Sequence, residues 1–120
     1  MYLGSCCRYI IETAKIVSDR GGSDWLHGLK NMSRLEVRKQ LLELPGVGPK
    51  VADCVALFSL DQRDAIPVDT HVKDICVRDY LSTPFDESDS RIINASNMTP
   101  TIYEAVGDVF RKKFQYRAGW

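Results

Sequence analysis

Leu44-Pro45-Gly46-Val47-Gly48-Pro49-Lys50 is the stretch on which the fold turns. Proline lacks an amide donor and blocks the preceding turn, and the two glycines permit a tight reversal, so a helix arriving at Leu44 must end there. Pro49 suits the first position of a new helix, where a missing donor costs nothing. Helix, glycine-rich reversal and helix follow directly.

Outward from this hairpin, almost every segment carries a helical pattern. Ser33-Arg34-Leu35-Glu36 reads as a capping box and opens the arriving helix, which runs to about Leu44 with Leu35, Leu41, Leu42 and Leu44 as most of a buried stripe. The departing helix runs to about Leu60, with Val51, Val55, Leu57 and Phe58 largely buried. Upstream, Cys7, Ile10, Ile11, Ala14 and Val17 recur at three and four residue steps in a helix that Gly21-Gly22 closes. Ser23 is placed to cap a short turn through Leu29. Downstream, Asp61-Gln62-Arg63-Asp64 predicts a turn and Ala65-Ile66-Pro67-Val68 an extended buried connector. Asp69 then caps a helix from Thr70 to about Tyr80. Residues 82–90 predict a flexible loop. Thr99-Pro100 starts a final helix whose Ile102, Val106, Val109 and Phe110 face inward. The fold class is all-α.

At 120 residues the chain has the size of one domain, and at 44% apolar and 27% charged residues it has the composition of a packed globular protein. It holds no apolar run long enough for a membrane span, and Met1-Tyr2-Leu3-Gly4-Ser5 lacks the layout of a signal peptide, so an intracellular protein is expected. Sixteen bases balance sixteen acids, which gives no global sign of a nucleic-acid partner. The distribution is uneven. Residues 30–50 hold five bases against two acids, and Arg111, Lys112, Lys113 and Arg117 lie in a stretch without acids. Either cluster can equally be a solvated helix face. Cys6, Cys7, Cys54 and Cys76 fit neither a zinc site nor a disulfide framework and read as buried free thiols.

Chemistry concentrates at the hairpin. A glycine reversal feeding a helix directs backbone amides outward beside the positive end of the helix dipole, an arrangement that binds phosphate but also serves an ordinary helical turn. Lys50 falls in the first turn, where the dipole disfavours a cation, and a lowered amine pKa is what a lysine nucleophile needs. The other reading is a lysine reaching solvent from a helix start. Asp69 is placed as a helix cap and as an ionised carboxylate, and His71 as a phosphate contact or a surface residue.

Leu44-Pro45-Gly46-Val47-Gly48-Pro49-Lys50-Val51-Ala52-Asp53-Cys54, Val68-Asp69-Thr70-His71, Arg78-Asp79-Tyr80 and Tyr116-Arg117-Ala118-Gly119-Trp120 together resemble the helix-hairpin-helix DNA glycosylases, most closely the eukaryotic 8-oxoguanine DNA glycosylase/AP lyases. The resemblance covers nearly the whole chain from about Gly4. It implies base excision repair: the lysine at Lys50 attacks the deoxyribose C1′ of a flipped-out nucleotide, displaces the damaged base as a Schiff base forms, and elimination then nicks the strand. The aspartate at Asp69 stabilises charge and helps deprotonate the amine. Gly46, Val47 and Gly48 hold a DNA phosphate, a cation sits on the carbonyls of Leu42, Leu44 and Val47, His71 touches a phosphate, and Cys54 lies against the base.

The resemblance further implies no cofactor, damaged double-stranded DNA as partner, no membrane, a monomer, and a place in the nucleus and the mitochondrion. Where the family has a tyrosine and an arginine that read the opposite base, this chain has Ser5 and Cys6, and Pro49 replaces a small polar residue. The hairpin spans about residues 33–60 of an incomplete catalytic domain, with the family's N-terminal sheet domain and C-terminal pocket helix expected to be absent. An endonuclease III-like glycosylase for oxidised pyrimidines and a catalytically silent helix-hairpin-helix DNA-binding module remain alternatives.

Overall fold

The computed structural model describes residues 3–81 and 87–119, with side chains from Cys7 onward except at 88 and 116. Helices are the only regular secondary structure among them. They are α1 (Leu3–Asp19), α2 (Ser23–Gly28, prolonged by the 3₁₀ turn Leu29–Asn31), α3 (Arg34–Leu42), α4 (Pro49–Ser59), α5 (Thr70–Ile75, prolonged by the π-helical turn Cys76–Tyr80), α6 (Glu87–Asn94) and α7 (Pro100–Phe114, followed by the 3₁₀ turn Gln115–Arg117). None is long and apolar enough to cross a membrane. Contacts gather into two compact units, residues 1–62 and 63–120.

Unit 1 is built around the hairpin. Helix α1 ends in a Schellman motif: the Gly22 amide donates to the Val17 carbonyl at 2.8 Å and the Gly21 amide to Ser18 at 3.2 Å, with Gly21 at φ 117°. The capping box at α3 forms as the sequence predicts. The Glu36 amide donates to Ser33 Oγ at 3.4 Å and the Ser33 amide to Glu36 Oε2 at 3.2 Å. Ser23, however, lies inside α2; the cap position belongs to Gly22, whose φ of 63° suits glycine.

The buried set of this unit is Leu29, Val37, Leu41, Leu44, Ala52, Ala56, Leu57 and Leu60. It corrects the expected stripe. Leu35 is 61% and Phe58 80% exposed, and Leu42 and Val51 are also exposed, because α3 and α4 meet along the face of Val37, Leu41, Ala52 and Ala56. Burying small alanines lets two helix backbones approach closely, and that pushes the bulkier neighbours one step round each helix to the outside. Ile10 and Ile11 of α1 are exposed too, as is Cys7, contrary to its reading as a buried thiol.

Unit 2 packs Ile66, Val68, Cys76, Ile92, Ile102, Tyr103 and Val106 into one core. Thr99 caps α7 by accepting the Ile102 amide at 3.2 Å. The connector 65–68 has no regular secondary structure and is largely buried, as expected of its burial, and the Tyr103 hydroxyl ties its backbone, donating to the Ile66 carbonyl at 3.1 Å and accepting the Val68 amide at 3.3 Å. Arg111 adds a bond to the Asp64 carbonyl and an ion pair to Glu104 at 2.9 Å. The Gly119 amide donates to the Arg63 carbonyl at 2.8 Å. Of the expected loop 82–90, residues 82–86 lie outside the described residues, and Glu87–Ser90 form the first turn of α6, with acids where the dipole favours them.

Candidate nucleic-acid interface and nucleophile

The reversal between α3 and α4 is closed by backbone hydrogen bonds. The Leu44 amide donates to Leu41 at 3.1 Å and the Val47 amide to Leu44 at 3.2 Å, and Gly46 takes φ 77°, a region that side-chain-bearing residues avoid. Gly48 is the N-cap of α4 and offers no capping side chain; its carbonyl accepts the Ala52 amide at 2.9 Å to begin the helix. Pro49 therefore sits at the first helical position, as the sequence predicts. Lys50 follows in the first turn with an exposed side chain. Cys54 lies one helical turn further on, half-buried, on the same side of α4.

Helix α1 supports the tip. Thr13 Oγ1 donates to the Pro45 carbonyl at 3.3 Å, and the Tyr9 ring lies against Gly46. At the other end of α1, Arg20 bridges to Glu43 at 2.6 Å and stacks over Trp25 at 5.1 Å. A groove of about 770 Å³ between α1, α2 and the tip is lined by Tyr9, Ile10, Ala14, Val17 and Leu26, and its walls include neither Lys50 nor Cys54.

One residue of this site escaped the sequence reading. Asp53 is completely buried and receives a two-pronged contact from Arg38 of α3: Nη2 to Oδ2 at 2.6 Å and Nε to Oδ1 at 3.3 Å. The signal was an acid at the position three after Lys50, flanked by Ala52 and Ala56. An acid on an alanine-lined buried face requires a cation from the opposite helix.

In unit 2, Asp69 is the N-cap of α5, its Oδ1 accepting the Val72 amide at 2.9 Å, as predicted. His71 is exposed in the first turn of the same helix. Beyond α5, Arg78 forks onto Asp79 at 2.9 and 2.6 Å and holds that exposed carboxyl below its usual range. Cys76 begins the π-helical turn that the Leu81 amide closes on the Cys76 carbonyl at 3.1 Å. Among the described residues no cluster of His, Cys, Asp and Glu could hold a metal ion. The carbonyls of Leu42, Leu44 and Val47 are hard oxygen donors of the kind an alkali or alkaline-earth cation accepts, and the Leu44 oxygen keeps one lone pair beyond its bond from Val47.

No family model matches the chain. It is 39% identical over 119 residues, 98% of its length, to the N-glycosylase/DNA lyase OGG1 of Arabidopsis thaliana. It is 42% identical over 85 residues to the N-glycosylase/DNA lyase of Saccharomyces cerevisiae, and 39% over 67 residues to the Probable N-glycosylase/DNA lyase of Methanothermobacter thermautotrophicus. The chain spans 30%, 23% and 20% of the lengths of these relatives. With a glycine hairpin between two helices and no strand among the described residues, the chain is similar over nearly its whole length to part of the OGG1-type N-glycosylase/DNA lyases.

Proposed function

We propose that this chain carries the lysine nucleophile of a bifunctional DNA glycosylase/AP lyase that removes 8-oxoguanine from duplex DNA in the nucleus. The observation that carries the reading is Lys50 in the first turn of α4, directly after a left-handed glycine turn and without a side-chain cap on that helix end. Helix amides and dipole favour an anion there, so a DNA phosphate bound by Gly46, Val47 and Gly48 would bring the sugar of a neighbouring nucleotide towards the lysine. A hard cation on the carbonyls of Leu42, Leu44 and Val47 would add positive charge beside that phosphate.

The uncharged Lys50 amine attacks C1′ as the bond from C1′ to the base nitrogen breaks, and the base leaves with the bonding pair and takes up a proton. Loss of the remaining amine proton and opening of the sugar ring give the Schiff base. Removal of a C2′ proton then expels the 3′ phosphate, and water releases the lysine. Asp69 is proposed to accept the proton that frees the amine and to stabilise positive charge developing on the sugar. His71 is proposed as a further phosphate contact and Cys54 as a wall of the base pocket.

The test is borohydride reduction of the imine on duplexes carrying an abasic site or 8-oxoguanine, with oxidised-pyrimidine duplexes in parallel. A covalent adduct present with the natural chain and lost in Lys50→Gln supports the enzyme. Salt-sensitive DNA binding without any adduct assigns the chain to binding alone. An adduct confined to oxidised pyrimidines moves it to the endonuclease III-like group.

A further inference from the structure

The ion pair between Arg38 and Asp53 is a poor device for stability. Removing a carboxylate from water is unfavourable, its attraction to a guanidinium does little more than offset that, and apolar residues of the same volume usually serve a core as well or better. What an arginine fork supplies, and apolar contact does not, is direction: two parallel bonds fix both the angle and the register of the groups they join.

Position makes that direction consequential. Asp53 lies three residues beyond Lys50, within the first two turns of α4, and its buried neighbours Ala52 and Ala56 are too small to stop one helix sliding or rolling against the other. Arg38 stands mid-way along α3, among the buried Val37 and Leu41. We propose that Arg38 is a positioning residue: through Asp53 it sets the rotation of α4 about its own axis, and with it the direction in which Lys50 and the first-turn amides of that helix project. The inference rests on the proposed role of Lys50 as nucleophile.

The decisive variant is Arg38→Met with Asp53→Leu in the full chain, which removes both charges, keeps the volume and strands neither group. It is expected to keep its helical circular dichroism and its melting temperature, and to bind an abasic-site duplex within about threefold of the natural chain. At saturating DNA it should form the borohydride adduct at least about tenfold more slowly, the size of loss that a misplacement near 1 Å produces. Arg38→Lys, which keeps the charge and loses the fork, should also be slow, whereas a role in charge balance alone would leave it at the natural rate. Independently of activity, the hydrogen-bonded hairpin amides of Val47 and Ala52 should exchange with solvent about tenfold faster in the double variant, with no change in α7.

A double variant that traps at the natural rate, or whose hairpin amides keep their protection, overturns the inference. If the double variant fails to fold, Arg38→Lys decides by the same two measurements. If the natural chain itself forms no adduct, the proposed function fails, and the exchange measurement still decides whether the fork orients the hairpin.

Discussion

The ring of Tyr9 lies so close to the Cα of Gly46 that a methyl group placed there would meet its Cδ2 at 2.9 Å, Cγ at 3.0 Å and Cβ at 3.3 Å. These atoms include the root of the side chain, so the ring cannot swing clear by rotating about its outer bonds. Gly46 is thus required twice, by its φ of 77° and by the helix packed on it.

Gly46→Ala should consequently destabilise the chain by about 1–3 kcal/mol, combining left-handed strain with an overlap that must be relieved. Urea unfolding measures this. The same change should weaken binding to duplex DNA, because the hairpin amides lose their alignment. Tyr9→Ala with Gly46→Ala should recover less than half of the stability, since the strain in φ persists.

Removing one partner of the buried pair should be far worse than removing both. Arg38→Met alone leaves the Asp53 carboxylate without its guanidinium fork inside unit 1, a loss of about 3–5 kcal/mol. Comparison of its denaturation midpoint with that of the double variant checks the sign, which reverses the usual expectation that two substitutions cost more than one.

The two roles assigned to Asp69 separate chemically. Asparagine caps a helix about as well as aspartate, so Asp69→Asn should hold stability within about 0.5 kcal/mol, while Asp69→Ala should lose about 1 kcal/mol. Both should suppress adduct formation if the carboxylate takes part in the reaction. An Asn variant with full trapping would restrict Asp69 to its cap.

Cys76 gives the chain an alkaline limit. Burial first, and the nearby Asp89 second, push its thiol up from 9.0 to about 11. A group whose folded pKa is raised contributes stability that is fully present below its unfolded value and is lost as pH rises through its folded value. Thermal unfolding should therefore be insensitive to this thiol below pH 9.0 and lose stability between there and about 11. Cys76→Ala should lower the melting temperature at neutral pH and flatten that alkaline slope.

Local signals in the sequence translated well because their causes are local. The capping box at Ser33 and Glu36, Pro49 at the first helical position, and the cap at Asp69 each involve residues within one turn, and all three stand where the pattern places them. The glycine reversal was legible for the same reason. Which face each helix buries was not, because it depends on what lies opposite. Phe58 and Leu35 have apolar side chains and remain outside, while Asp53, an acid, goes fully inside because Arg38 waits fifteen positions earlier on the facing helix. Ser23 misled in a different way: a good capping side chain stood next to a glycine that the left-handed end of α1 required, and the backbone took precedence.

The bond from the Gly119 amide to the Arg63 carbonyl brings the start and finish of the second unit within touching distance. A chain whose extremities meet in this way can be rejoined by a few glycines and reopened at an exposed bend, such as the one between α6 and α7, with its internal packing intact. A chain whose second unit is rejoined and reopened in this way should carry the Tyr103 anchor and the Asp69 cap unchanged.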